Sequence, residues 1–242
     1  ITELHERAGA LTAPWGESAV QVVQTFGDVG REYGAIRTRA ALFDRPERAV
    51  LEVRGAERVG FLNRMLTQEL KNIAPGQVVG SFWLNRKGRI DADLRVLAMP
   101  DRVLLELDVL SAATTAKGLD AFIISEDCSV KAPDEPLHRL SLHGPTGGVL
   151  LESLAGPEAL KGLGVGEVRS VTLAGTPCVV FREDSAGEPG FEVLVPEHAA
   201  RTVYERMIEA GHTRGDALAR QVGLSPAGWL AGSTGMALAS RA

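Results

Sequence analysis

The 242-residue chain is poor in several of the residue types and patterns that announce a function. It has two cysteines, Cys128 and Cys178, and neither sits in a CxxC pair or a Cys/His cluster. The spacing that builds a structural zinc site or a redox dithiol is therefore missing. Both read as small buried apolar residues of a reducing compartment, which makes the cytoplasm the expected location. No apolar run approaches the roughly 18 residues that cross a bilayer. The opening ITELHERAGA carries charges where a signal peptide would carry an apolar stretch. Positive charge is not in excess: 26 Lys and Arg stand against 31 Asp and Glu, for a formal net charge of -5. A nucleic-acid binder would show a basic face, so neither nucleic acid nor membrane is an expected partner. A GxSxG nucleophile elbow, an HExxH zinc motif and a GxxxxGK[ST] phosphate loop are all lacking. The histidines at 5, 138, 143, 198 and 212 are isolated, and GPTGG at 144–148 is a weak candidate for an anion cradle.

What is present is an ordinary globular composition, 45% hydrophobic and 24% charged, with length for one large domain or two modest ones. A helix is expected to start at Thr2 as N-cap, and a second to run over 29–39. Alternation marks a strand over 48–55, and helical spacing of Val59, Leu62, Met65, Leu66 and Leu70 marks a helix over 56–70. Strands at 78–85, 89–99 and 103–109, joined by the short turns RKG and PDR, form an antiparallel meander, because parallel strands need long crossovers. A helix over 111–124 and a strand near 128–133 follow. A similar order then returns: strand 137–143, helix 147–156, strands 166–175, 176–184 and 190–196, and an amphipathic helix over 196–211. The expected class is α+β, in two halves that share a layout without a fixed-period repeat. The division is 1–130, 131–221 and an irregular tail over 222–242, which is rich in Gly, Ala and Ser.

Two stretches carry candidate chemistry. GRIDADLRV, at 88–96, puts Ile90, Ala92, Leu94 and Val96 on one face of a strand and Arg89, Asp91, Asp93 and Arg95 on the other. Asp91 and Asp93 lie roughly 6.5–7 Å apart by strand rise and can reach one ligand; a solvated face with cross-strand arginine pairs is the alternative. FREDSAGEPGFEVLVP, at 181–196, crowds Arg182, Glu183, Asp184, Glu188 and Glu192 around a turn. Glu192 lies between Phe191 and Val193, so it either needs a buried partner or points outward.

Four stretches in order, RTRAALFDRPERAVLEVRGAERVGFLNRMLTQELKNIAPGQ, LNRKGRIDADLRV, RLSLHGP and GEPGFEVLVP, resemble the glycine-cleavage T-protein and the related YgfZ folate-binding proteins. The resemblance runs from about Leu4 to Arg220. It implies two α+β subdomains of a folate-binding ring, with no counterpart here for the family's third, barrel-like domain. It also implies tetrahydrofolate, as the 5,10-methylene or a related form, as the small molecule bound. The functional aspartate of the family falls on Asp93, its preceding aspartate on Ala92, and Asp91 has no counterpart. The family's pterin-binding glutamate falls on Glu192, where a carboxylate can meet an aminopyrimidine edge with two hydrogen bonds. Arg220 falls on an arginine that would meet the folate glutamate tail, although the aspartate after it is replaced by Gln221. Arg48 stands where T-proteins have Met, as in many YgfZ-like members, and Asp108 replaces a T-protein Asn.

The implied site is thus Asp93 as the catalytic candidate, with Glu192, Arg48, Asp108, Arg182 and Arg220 in the folate-binding set. The first reading is a folate-binding protein of the YgfZ type, supporting iron–sulfur cluster enzymes or one-carbon metabolism. The second is an aminomethyltransferase that takes a methylene unit from a lipoyl carrier protein. The third is an interaction domain that has lost the ligand.

Overall fold

In a computed structural model of the protein, residues 1–213 are described; Arg220 and the tail at 222–242 lie outside them. In chain order the elements are α1 (Thr2–Arg7), β1 (Leu11–Pro14), β2 (Gln21–Thr25), α2 (Val29–Thr38), β3 (Ala41–Asp44), β4 (Arg48–Arg54), α3 (Arg58–Met65), β5 (Val78–Leu84), β6 (Ile90–Ala98), β7 (Val103–Asp108), α4 (Val109–Asp120), β8 (Ser129–Lys131), β9 (Leu137–His143), α5 (Gly147–Ala155), β10 (Val168–Leu173), β11 (Thr176–Arg182), β12 (Gly190–Pro196) and α6 (Ala200–Thr213).

The fold is α+β. One five-stranded antiparallel sheet has the order β5-β6-β7-β4-β8, and a second has the order β10-β11-β12-β9-β3. Strand alternation gives each sheet two unlike faces. Ala92, Leu94, Val96, Leu105 and Leu107 of the first sheet bury against Phe61 and Leu62 of α3 and Leu119 of α4. Leu140, Leu142, Val180 and Val193 of the second bury against Leu150 and Leu151 of α5 and Val203, Tyr204 and Met207 of α6. The remaining faces meet each other through Val50, Leu97, Met99 and Leu104 on one side and Val168, Val179, Phe181 and Leu194 on the other. The molecule is layered helix, sheet, sheet, helix, and each large apolar side chain so buried contributes roughly 1.5–3 kcal/mol.

The sheets do not divide the chain at a single point near 130. β3 precedes β4 in sequence but pairs with β9, at Leu42 opposite Leu142. β8 precedes β9 but pairs with β4, at Val53 opposite Val130. Each sheet is completed by the strand that leads into the other. Two glycines make the exchange sterically possible. Gly55 ends β4 at φ +108, and a Cβ there would sit 2.0 Å from the carbonyl oxygen of Asp127, just before β8. Gly144 ends β9 at φ +121, and a Cβ there would sit 2.4 Å from the carbonyl oxygen of Arg39, just before β3. No side chain fits in either gap, and the positive φ disfavours one as well.

This pairing exposes a repeat that periodicity did not reveal. LKNIAPGQV at 70–78 and LKGLGVGEV at 160–168 occupy equivalent places ahead of β5 and β10. They clasp each other: Val78 N donates to Gly166 O at 2.6 Å and Val168 N donates to Gly76 O at 2.8 Å. The halves are therefore related in sequence as well as in layout.

Local differences from the sequence reading have physical causes. Ile1, not Thr2, is the N-cap of α1, and no side chain caps that helix. α3 stops at Met65 because Leu66 turns extended and bridges Trp83, while the Thr67 and Ser81 hydroxyls tie the next residues to the edge of β5. The β1–β2 hairpin, for which no element was expected, pairs Thr12 with Val23.

Candidate functional site

The inner faces of the two sheets change character along their length. One end is the apolar contact of Leu97, Leu104, Phe181 and Leu194. The other carries the charges of the strands that form it, in the sequence LELD of β7, LHRLSLH of β9 and GFEVLVP of β12.

At the dry end of the charged region, Glu106 and Glu192 are both fully buried and Arg139 lies between them. Glu192 Oε2 accepts from Arg139 Nε at 2.8 Å, has Arg139 Nη2 at 2.8 Å, and accepts from the Ser141 hydroxyl. Arg139 Nη1 donates to Glu106 Oε1, and Arg48 Nη2 donates to Glu106 Oε2 at 2.8 Å. The Arg139 guanidinium also lies over the Phe181 ring, 5.6 Å from its centroid. Burial works to raise the Glu192 carboxyl pKa, but the charge of Arg139 and the adjacent His143 outweigh it and hold the group well below the usual carboxylate range. Glu106 is lowered in the same way, with burial opposed by Arg139 and Arg48.

Further out along the same face stand Arg95, Asp93 and Asp91. Arg95 Nε and Nη2 donate to Glu183 Oε1 at 2.9 and 2.6 Å, and Nη1 donates to Asp93 Oδ1 at 3.2 Å. The Asp93 side chain is 57% exposed, so one carboxylate oxygen faces solvent beside a fixed cation. Asp91 accepts from Asn85 Nδ2 at 2.8 Å. It lines a shallow cavity of about 410 Å³ with Ile90, Asp108, Leu110, Ser111 and Thr114. The face thus runs from wet carboxylates to buried ion pairs to apolar packing.

The expected residues are distributed unevenly over this site. Asp93, Arg48 and Glu192 lie on facing inner surfaces. Asp108 borders the cavity, but its Oδ1 caps α4 at Leu110 N, 2.8 Å away, and its Oδ2 accepts from Trp15 Nε1 at 2.9 Å. Both oxygens are taken, by a helix start and by the unforeseen hairpin. Arg182 is opposite Phe191 in register, lies 5.8 Å over that ring, and donates to Asp184 at 3.1 and 3.2 Å. It is turned to the helix side of its sheet, away from Glu192, so the site does not bring it together with the others. Recognition by Glu192 through two open oxygens is also not what the structure offers, because Oε2 is saturated. Oε1 is buried, with His143 Nε2 3.1 Å away.

Glu106, Arg139 and Ser141 belong to this cluster although pattern reading did not single them out, and Glu183, noted only as part of the charged turn, joins it through Arg95. A signal existed for the first three. Arg139, Ser141 and His143 alternate along a strand whose other residues are leucines, and Glu106 is a lone acid in VLLEL. Polar residues at every second position of an otherwise apolar strand mark a face that meets polar partners.

A second buried carboxylate lies outside this cleft. Asp44 accepts from His5 Nε2 at 2.8 Å and from His138 Nε2, tying α1 to β3 and β9. Burial would raise its pKa, but the two imidazole hydrogen bonds prevail and hold it at about 2.

Buried ion pairs leading out to an exposed carboxylate, between two helix-backed antiparallel sheets, define an α+β domain whose charged inner faces form the candidate site. The chain belongs to the family described as the GCVT N-terminal domain, whose model matches residues 1–229. It is 30% identical over 221 residues to an aminomethyltransferase of Desulfitobacterium hafniense, covering 89% of this chain and 58% of that protein. It is 27% identical over 206 residues to an aminomethyltransferase of Caldanaerobacter subterraneus, covering 84% of this chain and 52% of the relative. The chain thus spans a little over half the length of these relatives. The crystal structure of glycine cleavage system aminomethyltransferase T from Bartonella henselae superposes with a TM-score of 0.78 at 26% identity, over 92% of this chain and 58% of that one. These likenesses favour the aminomethyltransferase reading at the level of the family and give the YgfZ type no specific support.

Proposed function

We propose that the protein binds tetrahydrofolate at the wet end of the inter-sheet cleft and serves one-carbon transfer of the aminomethyltransferase kind. The observation that carries the reading is Asp93. It is an exposed carboxylate fixed at 3.2 Å by Arg95, on the face that leads inward to Glu192. A reduced pterin presents N–H donors along one edge, and ionised acceptors bind such donors more strongly than neutral ones do. Asp93 would accept from the folate amine that receives the methylene unit and orient it. Glu192, deeper on the facing sheet, would take the pterin edge. The proposed donor is an aminomethyl group on a lipoyl carrier protein. Arg48, which pointed to the YgfZ type, donates to both carboxylate oxygens of Glu106, so an iron–sulfur role gains nothing from it. Arg220 keeps its proposed place at the glutamate tail only by resemblance.

The residues fit the ligand in charge and donor–acceptor sense. No helix among the described residues is long and apolar enough to cross a membrane, and the binding experiment uses the purified chain directly. Isothermal titration with tetrahydrofolate should give saturable heat. Asp93→Ala should weaken binding at least about tenfold, the loss of roughly 1.4 kcal/mol, while leaving the melting temperature within a degree or two because the side chain is exposed. Absence of saturable heat from a folded sample would remove the folate reading in favour of an interaction domain without a ligand.

A further inference from the structure

Glu192 is already occupied, and its occupant resembles the ligand proposed for it. The N–C–N edge of the Arg139 guanidinium directs Nε and Nη2 at Glu192 Oε2, both at 2.8 Å, and Ser141 adds a third donor to the same oxygen. The edge of a reduced pterin is the same chemical motif, a ring N–H beside an exocyclic amine. The second oxygen, Oε1, is buried with His143 Nε2 3.1 Å away as its neighbour, so Glu192 keeps acceptor capacity on that side.

Arg139 is also not bound to Glu192 alone. Its Nη1 donates to Glu106, and the Glu183 carboxylate acts on it as well. If it let go of Glu192 it would still be a paired cation, so the large cost of stranding a buried charge would not arise. Glu192, for its part, would exchange one set of N–H donors for another.

We infer that Arg139 is an internal occupant of the head-group site: a folate binds Glu192 by displacing Arg139, which stays on Glu106. This rests on the folate reading above. It makes Arg139 a positioning residue that sets affinity, since the competent state is populated only when Arg139 has moved and apparent affinity falls by that fraction.

The test uses the wild-type chain first. The Arg139 Nε–H resonance, assigned in a 15N-correlated spectrum by its loss in Arg139→Lys, should shift on saturation with tetrahydrofolate. A resonance unmoved at saturation overturns the exchange. Titration calorimetry supplies the second arm. Arg139→Met is paired with Glu106→Gln so that the net charge of the cluster is unchanged, and Glu106→Gln alone is the reference. The double variant should bind tetrahydrofolate at least about tenfold tighter than the reference, and Ser141→Ala, which removes a donor but no charge, should also bind more tightly than wild type. A folded double variant that binds no tighter overturns the exchange while leaving the folate reading intact. Failure of every form to bind removes both.

Discussion

Asp44 is a carboxylate on which two imidazoles converge, and its energetics can be read from the pH at which it titrates. Its pKa falls from 3.8 to about 2 in the folded protein. A depressed carboxylate stabilises the fold above its unfolded value and stops doing so as pH falls through the folded one. The contribution of about 2 kcal/mol is therefore complete near neutrality and is lost between about pH 4 and pH 2. Asp44→Asn should lose about that much in urea denaturation at pH 7. The difference from wild type should close by about pH 2; a gap independent of pH would mean that packing, not charge, is responsible. Glu192 differs in kind. Its partner Arg139 is buried too, so Glu192→Ala leaves the Arg139 Nε and Nη2 donors and the Ser141 hydroxyl without their acceptor and should cost at least about 2 kcal/mol, which calorimetric melting would register as a clear drop. Asp93, exposed, should show no such drop. Stability and binding are thus separable between two carboxylates that a strand pattern presents as similar.

At the scale of elements, Gly55 and Gly144 hold the architecture together at equivalent corners. Gly144→Ala would bring a Cβ to 2.4 Å from the Arg39 carbonyl at φ +121, so either β3 leaves its sheet or the corner opens. The expected cost is at least about 2 kcal/mol, more than an unstrained glycine substitution could cause. Gly34, inside α2 with nothing within 4 Å of its would-be Cβ, is the contrasting case. Gly34→Ala should raise stability by roughly 0.5–1 kcal/mol. Thermal melts of the two variants should move in opposite directions, and equal shifts would contradict the steric argument. The same elements show what could be read in advance. The meander β5–β6–β7 was legible because period-2 alternation and short turns are local signals. So were the charged face of β6 that carries Asp93 and the apolar backs of both sheets. The β1–β2 hairpin was not, since LTAP and QVVQT are short and half-exposed. Nor was the cluster around Arg139, because it joins residues from β7, β9 and β12 that only tertiary pairing brings together. Arg182 falls away from Glu192 for a related reason: both flank the same turn in sequence, but cross-strand register puts them on opposite sides of the sheet.

Taken whole, the exchange of β3 and β8 joins two related halves into a single unit. Glu106 and Arg139 sharpen the point. Glu106 pairs with Arg48 in the first half and Arg139 with Glu192 in the second, and the two pairs meet across the interface where Arg139 donates to Glu106. A half alone would lose that link, leave an edge of β4 or β9 open, and leave the Val78 and Val168 amides without their partners. Neither half should therefore unfold by itself. Hydrogen exchange under native conditions should give Leu94 in the first sheet and Val180 in the second the same opening free energy, close to the global value from urea denaturation. The amides of Val78 and Val168, which bond across the halves, should report it too. Protection that differed between the sheets by more than about 2 kcal/mol, or two separate unfolding transitions, would show that the exchanged strands do not couple them.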